Sequence, residues 1–407
     1  MTFVQSLLWF LSSWMFIVLF YIVIALIVYI NRKKFQVEGG VIFLYKTKWG
    51  MKFIDKVAGK YKEFIKIIGY SAIGIGFVGM IAICGVLIDG LYNLIFVPAA
   101  PATLSLVIPG VQIPGSAVFV PFWYGIIALF VVIVVHEFGH GIVAKANGIN
   151  IKSTGVGLMA IIPLAFVEPD EKQVVKRDSV VQQSIFASGP FFNGLLCIVI
   201  LLLIMLVNAA AVSMTQSQGF QFTSFQHGYA AEKYGLMANT TYNNVNGIEI
   251  NTTDDLTKIM STVKPNDTLI IGNSTQNVTI IASESPSNPS KGYLGIGGVS
   301  SDYKLKSKGG FYTFIFDILM LLSNPFASGL ADYTLLQWIY VLSLGIGLAN
   351  LLPLGPVDGG RMINKALIDT AGKNKGIKVW IVISFIVLIT MLILVFVPII
   401  KNVFFKI

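Results

Sequence analysis

The stretch VVIVVHEFGHGIVAKANGIN, residues 131–150, sets two histidines and a glutamate at the spacing of a hydrolytic metal site. His136 and His140 are four apart, so on a helix they share one face, one turn apart. Both imidazoles can then point at a single ion. Glu137 stands beside the first, where its carboxylate can reach a water held by the ion and serve as general base. With only three histidines in 407 residues, chance rarely supplies this spacing. Catalytic zinc takes three protein ligands and leaves a fourth position for water, so a third ligand is required at the same depth. The remaining histidine, His227, lies in a polar segment much further along and reads as a surface residue. The third ligand is therefore expected to be a carboxylate.

The elements that must position these groups are apolar. Hydrophobic residues make up 55% of the chain and charged residues only 12%, about half the charged share of soluble domains. That deficit indicates several membrane spans. The net charge of +9 is expected in cytoplasmic loops, where Lys and Arg set orientation, and not at a nucleic acid. Cys84 and Cys197 sit inside apolar runs and imply no disulfide framework. The first apolar run lacks a small-residue cleavage site behind it and reads as a retained span.

Six runs are long enough to cross a bilayer, at about 7–30, 67–97, 117–144, 184–212, 335–354 and 379–400. The second contains Asp89, so it is expected to end early or to bury that carboxylate. Residues 311–322 are too short to span and read as an interfacial or re-entrant helix. The 31–66 loop holds ten Lys/Arg against three acids, and 361–378 holds five against one, whereas 97–116 has none of either sign. The positive-inside rule then puts 31–66, 145–183 and 361–378 in the cytoplasm. The N-terminus, 98–116, 213–334 and the C-terminus fall outside, with Lys401 and Lys406 against the scheme.

On this topology the spans carrying HEFGH and 335–354 run the same way, from outside to inside. NLLPLGPVDGGR places Asp358 just past the second of them, at the matching depth. Asp89 and Asp317 are rival carboxylates at other depths. From Glu137 to Lys145 is about 12 Å of helix, so the site would lie near cytoplasmic water.

Residues 213–308 differ in kind: polar, charge-balanced and alternating like short strands. Five Asn-x-Ser/Thr sequons fall here, at Asn239, Asn251, Asn266, Asn273 and Asn277, consistent with an outward surface. AAEKYGL and TTDDLTKIM read as helices, PNDTLIIGN and NVTIIA as strands, and YLGIG as a closing strand. Together they resemble a PDZ domain, which implies a peptide ligand bound by strand addition.

HEFGH and NLLPLGPVDGGR together resemble the zinc and Asn-x-x-Pro…Asp-Gly motifs of the site-2 protease family of intramembrane zinc metalloproteases. The resemblance covers about 117–367 and implies an archaeal-like member with an inserted PDZ-like domain. By position it implies His136, His140 and Asp358 as ligands of one Zn2+ and Glu137 as catalytic base. It sets Asn350 on the asparagine that holds substrate or polarises its carbonyl. ASGPFFNGLL is similar to the family's Gly-Pro-x-x-Asn element and would put Asn193 near the site. GLMAIIPLAFVEPDE, residues 157–171, resembles the membrane-dipping segment, and its 157–167 part is expected to offer an edge strand to an opened substrate.

The implied fold is a polytopic α-helical membrane protein of about six transmembrane helices with an extracytoplasmic α+β insert. Its expected regions are an accessory 1–116, a first catalytic half 117–212, the PDZ-like 213–308 and a second half 309–407. The implied partners are transmembrane protein substrates and the lipid bilayer of the cell membrane, with no nucleic acid. Three other readings use the same residues less fully. Membrane proteases that trim prenylated C-termini take a downstream Glu as third ligand. An adaptor sensing peptides through the insert would hold no zinc. A channel or carrier leaves the His-Glu-His spacing unexplained.

Overall fold

The computed structural model describes residues 14–38, 42–97, 102–116, 118–159, 162–307, 309–327 and 330–405. The chain divides into two compact units, one running to Asn208 and resuming at Ile318, the other Ala209–Asp317. The second unit lies close to the polar segment read from the sequence.

The first unit opens with α1 (Trp14–Ile30), β1 (Phe35–Glu38), β2 (Ile42–Thr47) and α2 (Met51–Lys60). Then come α3 (Lys62–Phe96), α4 (Phe122–Ala146), β3 (Ile151–Met159), β4 (Ile162–Pro169), the single turn α5 (Glu171–Val174) and α6 (Ser179–Ser213). Among the described residues four helices are long and apolar enough to cross a membrane: α3, α4, α6 and the C-terminal Lys373–Phe405. Of the six expected, four are thus of membrane length among the described residues. The first run lies partly outside the described residues, and its described part, α1, has 17 residues. The run expected at 335–354 is helical only over Leu335–Asn350, 16 residues, or about 24 Å. Pro353 and Pro356 follow within six residues, and proline disfavours helix in the residue before it.

Asp89 neither ends its helix nor is buried. α3 runs on to Phe96, and Asp89 stays exposed, accepting a hydrogen bond from Asn93 Nδ2 at 2.9 Å. The i,i+4 spacing pairs the two polar groups with each other.

The segment expected to dip into the membrane is a β-hairpin within a four-stranded antiparallel sheet of order β1-β2-β3-β4. β2 pairs with β3 from Ile42↔Met159 to Thr47↔Thr154, and β3 with β4 from Ile151↔Pro169 to Met159↔Ile162. The free edge beside α4 is therefore β4, Ile162–Pro169. Gly157 lies on β3 and pairs on both sides, with Leu44 and Leu164, so the edge is shorter than the expected 157–167.

The second unit carries β5 (Thr215–Gln221), β6 (Ser224–Phe225), α7 (Ala230–Lys233), β7 (Asn244–Val245), β8 (Ile248–Glu249) and α8 (Thr253–Met260). It continues with β9 (Thr268–Gly272), β10 (Asn277–Ile281), β11 (Ser283–Ser285), β12 (Asn288–Tyr293), β13 (Ile296–Gly297) and β14 (Ser300–Leu305). β10-β9-β7-β8 form one sheet, and β5–β14, β6–β13 and β11–β12 are pairs. Phe220, Phe222, Tyr242, Ile250, Leu269 and Ile271 anchor a core of its own. A capping box between Thr252 and Asp255 starts α8, satisfying two otherwise orphan N–H groups. The strand expected at 293–297 is broken, because Gly295 turns with φ +75° between β12 and β13. The short α9 (Gly310–Leu322) buries no side chain fully among the described residues.

α10 (Leu335–Asn350), α11 (Asp358–Ala371) and α12 (Lys373–Phe405) complete the first unit. Val132, Trp338, Ile339 and Leu342 join α4 to α10 in one cluster.

Candidate metal centre

Four elements meet at the His-Glu-His turn. α4 contributes His136, Glu137 and His140; α6 passes beside it; α10 ends there; and α11 begins with Asp358. The turn between α10 and α11 doubles back so tightly that a Cβ on Gly359 would lie 2.2 Å from the Leu351 carbonyl oxygen. Only glycine fits, which accounts for the Asp-Gly sequence immediately after the loop.

His136 Nε2 lies 3.2 Å from His140 Nε2, and Asp358 Oδ2 lies 3.0 and 3.3 Å from the two nitrogens. His136 and Asp358 are buried and His140 is partly so. Three lone-pair atoms facing one another in a buried site repel unless a proton or a cation sits among them. A tetrahedral zinc with bonds of about 2.0–2.1 Å sets its ligand atoms roughly 3.3 Å apart. The three separations fit that spacing, and the donor set of two imidazoles and a carboxylate fits a catalytic site.

The far side of each imidazole is held. His140 Nδ1–H donates to the Ile185 carbonyl at 2.7 Å, which leaves Nε2 bare for a metal. Pro190 sits within α6 and removes the N–H that would bond the Phe186 carbonyl, one residue along from that acceptor. Asn193 Nδ2 lies 3.2 Å from His136 Nδ1, while Asn193 Oδ1, fully buried, has no partner among the described residues. The two amide atoms are alike in shape. With the oxygen turned to the ring, Nδ1–H donates to it and Nε2 again faces inward. Ser343 Oγ donates to the Asn193 backbone carbonyl at 3.0 Å, tying α10 to the same residue.

Glu137 is half-buried, and its Oε2 accepts from the Val167 N–H on β4 at 3.1 Å. Outward-facing positions of β4 recur every second residue, so the strand edge that holds Glu137 continues along the cavity. The cavity has a volume of about 1420 Å³, and its wall includes His136, Glu137, His140, Val167, Asn350 and Asp358. Asn350 donates through Nδ2 to the Ile346 carbonyl at 3.0 Å, closing the last turn of α10 while standing on the cavity wall. His227 is elsewhere, in the second unit, donating through Nδ1–H to Glu232 Oε1 at 2.9 Å. Asp89 and Asp317 do not join the His136–His140–Asp358 group.

Sequence reasoning missed Gly189. A Cβ there would lie 2.3 Å from His140 Nε2 and 2.6 Å from His136 Nε2, so any side chain would occupy the space of the ligand atoms. Its one visible signal was its place just before Pro190 in ASGPFFN. The Val167 N–H and Ile185 carbonyl are backbone groups, which carry no residue-type signal at all.

Buried among apolar membrane-length helices, a two-histidine, one-carboxylate cluster with an adjacent glutamate is the kind of centre found in membrane-embedded metallopeptidases. The chain belongs to peptidase family M50, the zinc-dependent site-2 protease family, whose model matches residues 124–394. It is also 27% identical over 352 residues to the uncharacterized protein MJ0971 of Methanocaldococcus jannaschii, a match covering 84% of this chain and 83% of that protein. α1, α2, α3, β1 and β2 lie before the matched region.

Proposed function

We propose that the protein is an intramembrane zinc endopeptidase that cleaves transmembrane segments of other membrane proteins. The observation that carries the reading is the mutual spacing of His136, His140 and Asp358, with Glu137 on the same turn. In this reading those three residues hold one Zn2+, which when bound lowers the pKa of a water and polarises the scissile carbonyl. Glu137 takes the proton of the attacking water and returns it to the leaving amine. The Val167 N–H keeps the carboxylate aimed while the proton is exchanged. Asn193 and the Ile185 carbonyl orient the imidazoles. Asn350, on the cavity wall, positions the substrate backbone. A helical substrate must unwind before its carbonyl is exposed, and the open edge of β4 offers the unwound stretch backbone partners.

The Lys/Arg distribution supports a site near the cytoplasmic face and a 209–317 unit on the outside. The order of α7, β7, β8, α8, β9 and β10 supports a PDZ-like, peptide-binding role for that unit. The deciding experiment compares wild type with Glu137→Gln in membranes. The variant should keep its zinc and lose cleavage of a transmembrane substrate by about 10²–10⁴-fold, the worth of a general base. Unchanged cleavage would remove Glu137 from the mechanism. Protein purified without zinc, and indifferent to His140→Ala, would favour a peptide-sensing adaptor instead.

A further inference from the structure

α2 is amphipathic. Ile54 and Ala58 are fully buried against Ile142 and Val143 of α4. The opposite side presents Lys52, Lys56 and Lys60, a stripe at i, i+4 and i+8, continued by Lys48 before the helix and Lys62 after it. All five are exposed, and none takes an ion pair among the described residues. The two acids of the stretch are already neutralised, Asp55 by Lys145 at 2.9 Å and Glu63 by Lys66 at 3.1 Å. Between the lysines stand large aromatic side chains that remain largely exposed: Trp49 at 68% exposure, Phe64 at 62%, Phe53 at 53% and Tyr61 at 49%.

A soluble surface rarely gathers four such rings. At a bilayer the combination has a physical role, since aromatic rings settle at headgroup depth and lysines meet anionic phosphates. Chain continuity puts the patch there. α2 ends at Lys60 and the membrane-length α3 begins at Lys62, so one residue separates the patch from a spanning helix. We infer that residues 48–64 form a docking surface for anionic lipid headgroups, lying on the leaflet where α3 enters. The surface is not isolated from the metal helix. The Phe138 ring, between the two histidines in sequence, packs 5.9 Å from Phe53 and 6.4 Å from Trp49. Lipid held at α2 therefore braces the turn of α4 that bears His136 and His140.

The test is hydrogen exchange of the full-length protein in nanodiscs of phosphatidylcholine alone and of phosphatidylcholine with phosphatidylglycerol. It reads lipid docking directly and does not depend on peptidase activity. Each lysine at an anionic surface strengthens partitioning roughly fivefold, so amides of 48–64 should exchange severalfold more slowly with phosphatidylglycerol. High salt should erase the slowing, because the charges are exposed. Replacing the five lysines by glutamine should erase it too, whereas replacing them by arginine should preserve it. Equal exchange in the two lipids overturns the inference, as does slowing that survives salt. The salt arm uses wild-type protein, so the result stands even if the glutamine variant misfolds. Slowing that appears only on adding a soluble acidic protein likewise overturns the lipid assignment.

Discussion

α4 and α12 are both apolar helices of membrane length, yet 44% of the most apolar window of α4 is buried inside the protein against 11% for α12. That window of α4 is also the less hydrophobic of the two. Without water, apolar side chains gain little by leaving lipid for protein, so inside a membrane close packing and polar contacts decide which helix is central. α4 has Gly125, Gly139 and Gly141 facing neighbours; a Cβ on Gly139 would meet Phe192 and the Ser188 carbonyl at 3.0 Å. α12 has bulky residues such as Phe385, Ile386 and Phe396 turned outward. The helix that carries the His-Glu-His turn is the more enclosed of the two, and the one with the more hydrophobic window is the more exposed.

The sharpest way to break this comparison lies on α6, which has one side of each kind. Gly189 abuts both imidazoles, while a Cβ added at Gly194, five residues on, would meet nothing within 4 Å. Gly189→Ala should abolish zinc binding and cleavage together, read as metal content of purified protein and turnover of a membrane substrate. Gly194→Ala should leave both unchanged. Equal effects at the two positions would mean that the close approach at Gly189 is not what holds the ligands in place.

A smaller effect is expected at Asn193. Loss of a group that orients a metal-bound imidazole costs about 10–100-fold in metal affinity. Asn193→Ala should therefore weaken zinc binding by that factor in a competition titration, while the protein still inserts into membranes. An affinity equal to wild type would leave the Asn193–His136 contact without a role.

The smallest effect belongs to the solvent side. Glu168 accepts from Lys46 Nζ at 2.7 Å and from Ser153 Oγ at 2.6 Å. The Lys46 hydrogen bond, then that of Ser153, holds its carboxyl below the usual range. A carboxyl lowered on folding stabilises the protein above its unfolded pKa of about 4.3 and loses that contribution as pH falls through the folded value. Glu168→Gln should flatten this acid limb in a thermal-unfolding series. Because the pair is exposed, the change at neutral pH should stay within about 1 kcal/mol. A larger loss would show that the sheet depends on this cross-strand pair more than an exposed ion pair allows.

The candidate centre was legible because it is built from rare residue types. His136, Glu137 and His140 announce themselves by spacing, and Asp358 by its depth after an apolar run. The partners that orient them were harder to read. Ile185 and Val167 act through backbone atoms, and Gly189 acts through the absence of a side chain. Helix ends were legible only where proline marks them, and even there the run 335–354 counted Leu351–Leu354 as helix although the chain has already turned at Asn350. Hydropathy does not distinguish an apolar turn packed in protein from an apolar helix in lipid. β1 and β2 were invisible for a related reason. Residues 35–47 lie in a loop that the sequence shows as basic, and that charge does not reveal that part of its backbone pairs with a strand more than 100 residues away.

That pairing has a consequence for directionality. The hairpin β3–β4 alone would present two unpaired edges, and an extended chain could settle on either. β2 covers residues 154–159 of β3, so beside Glu137 the one edge of the hairpin left open is that of β4. A strand from the region before the matched family core thus closes the side of the hairpin away from Glu137 and leaves the other side open.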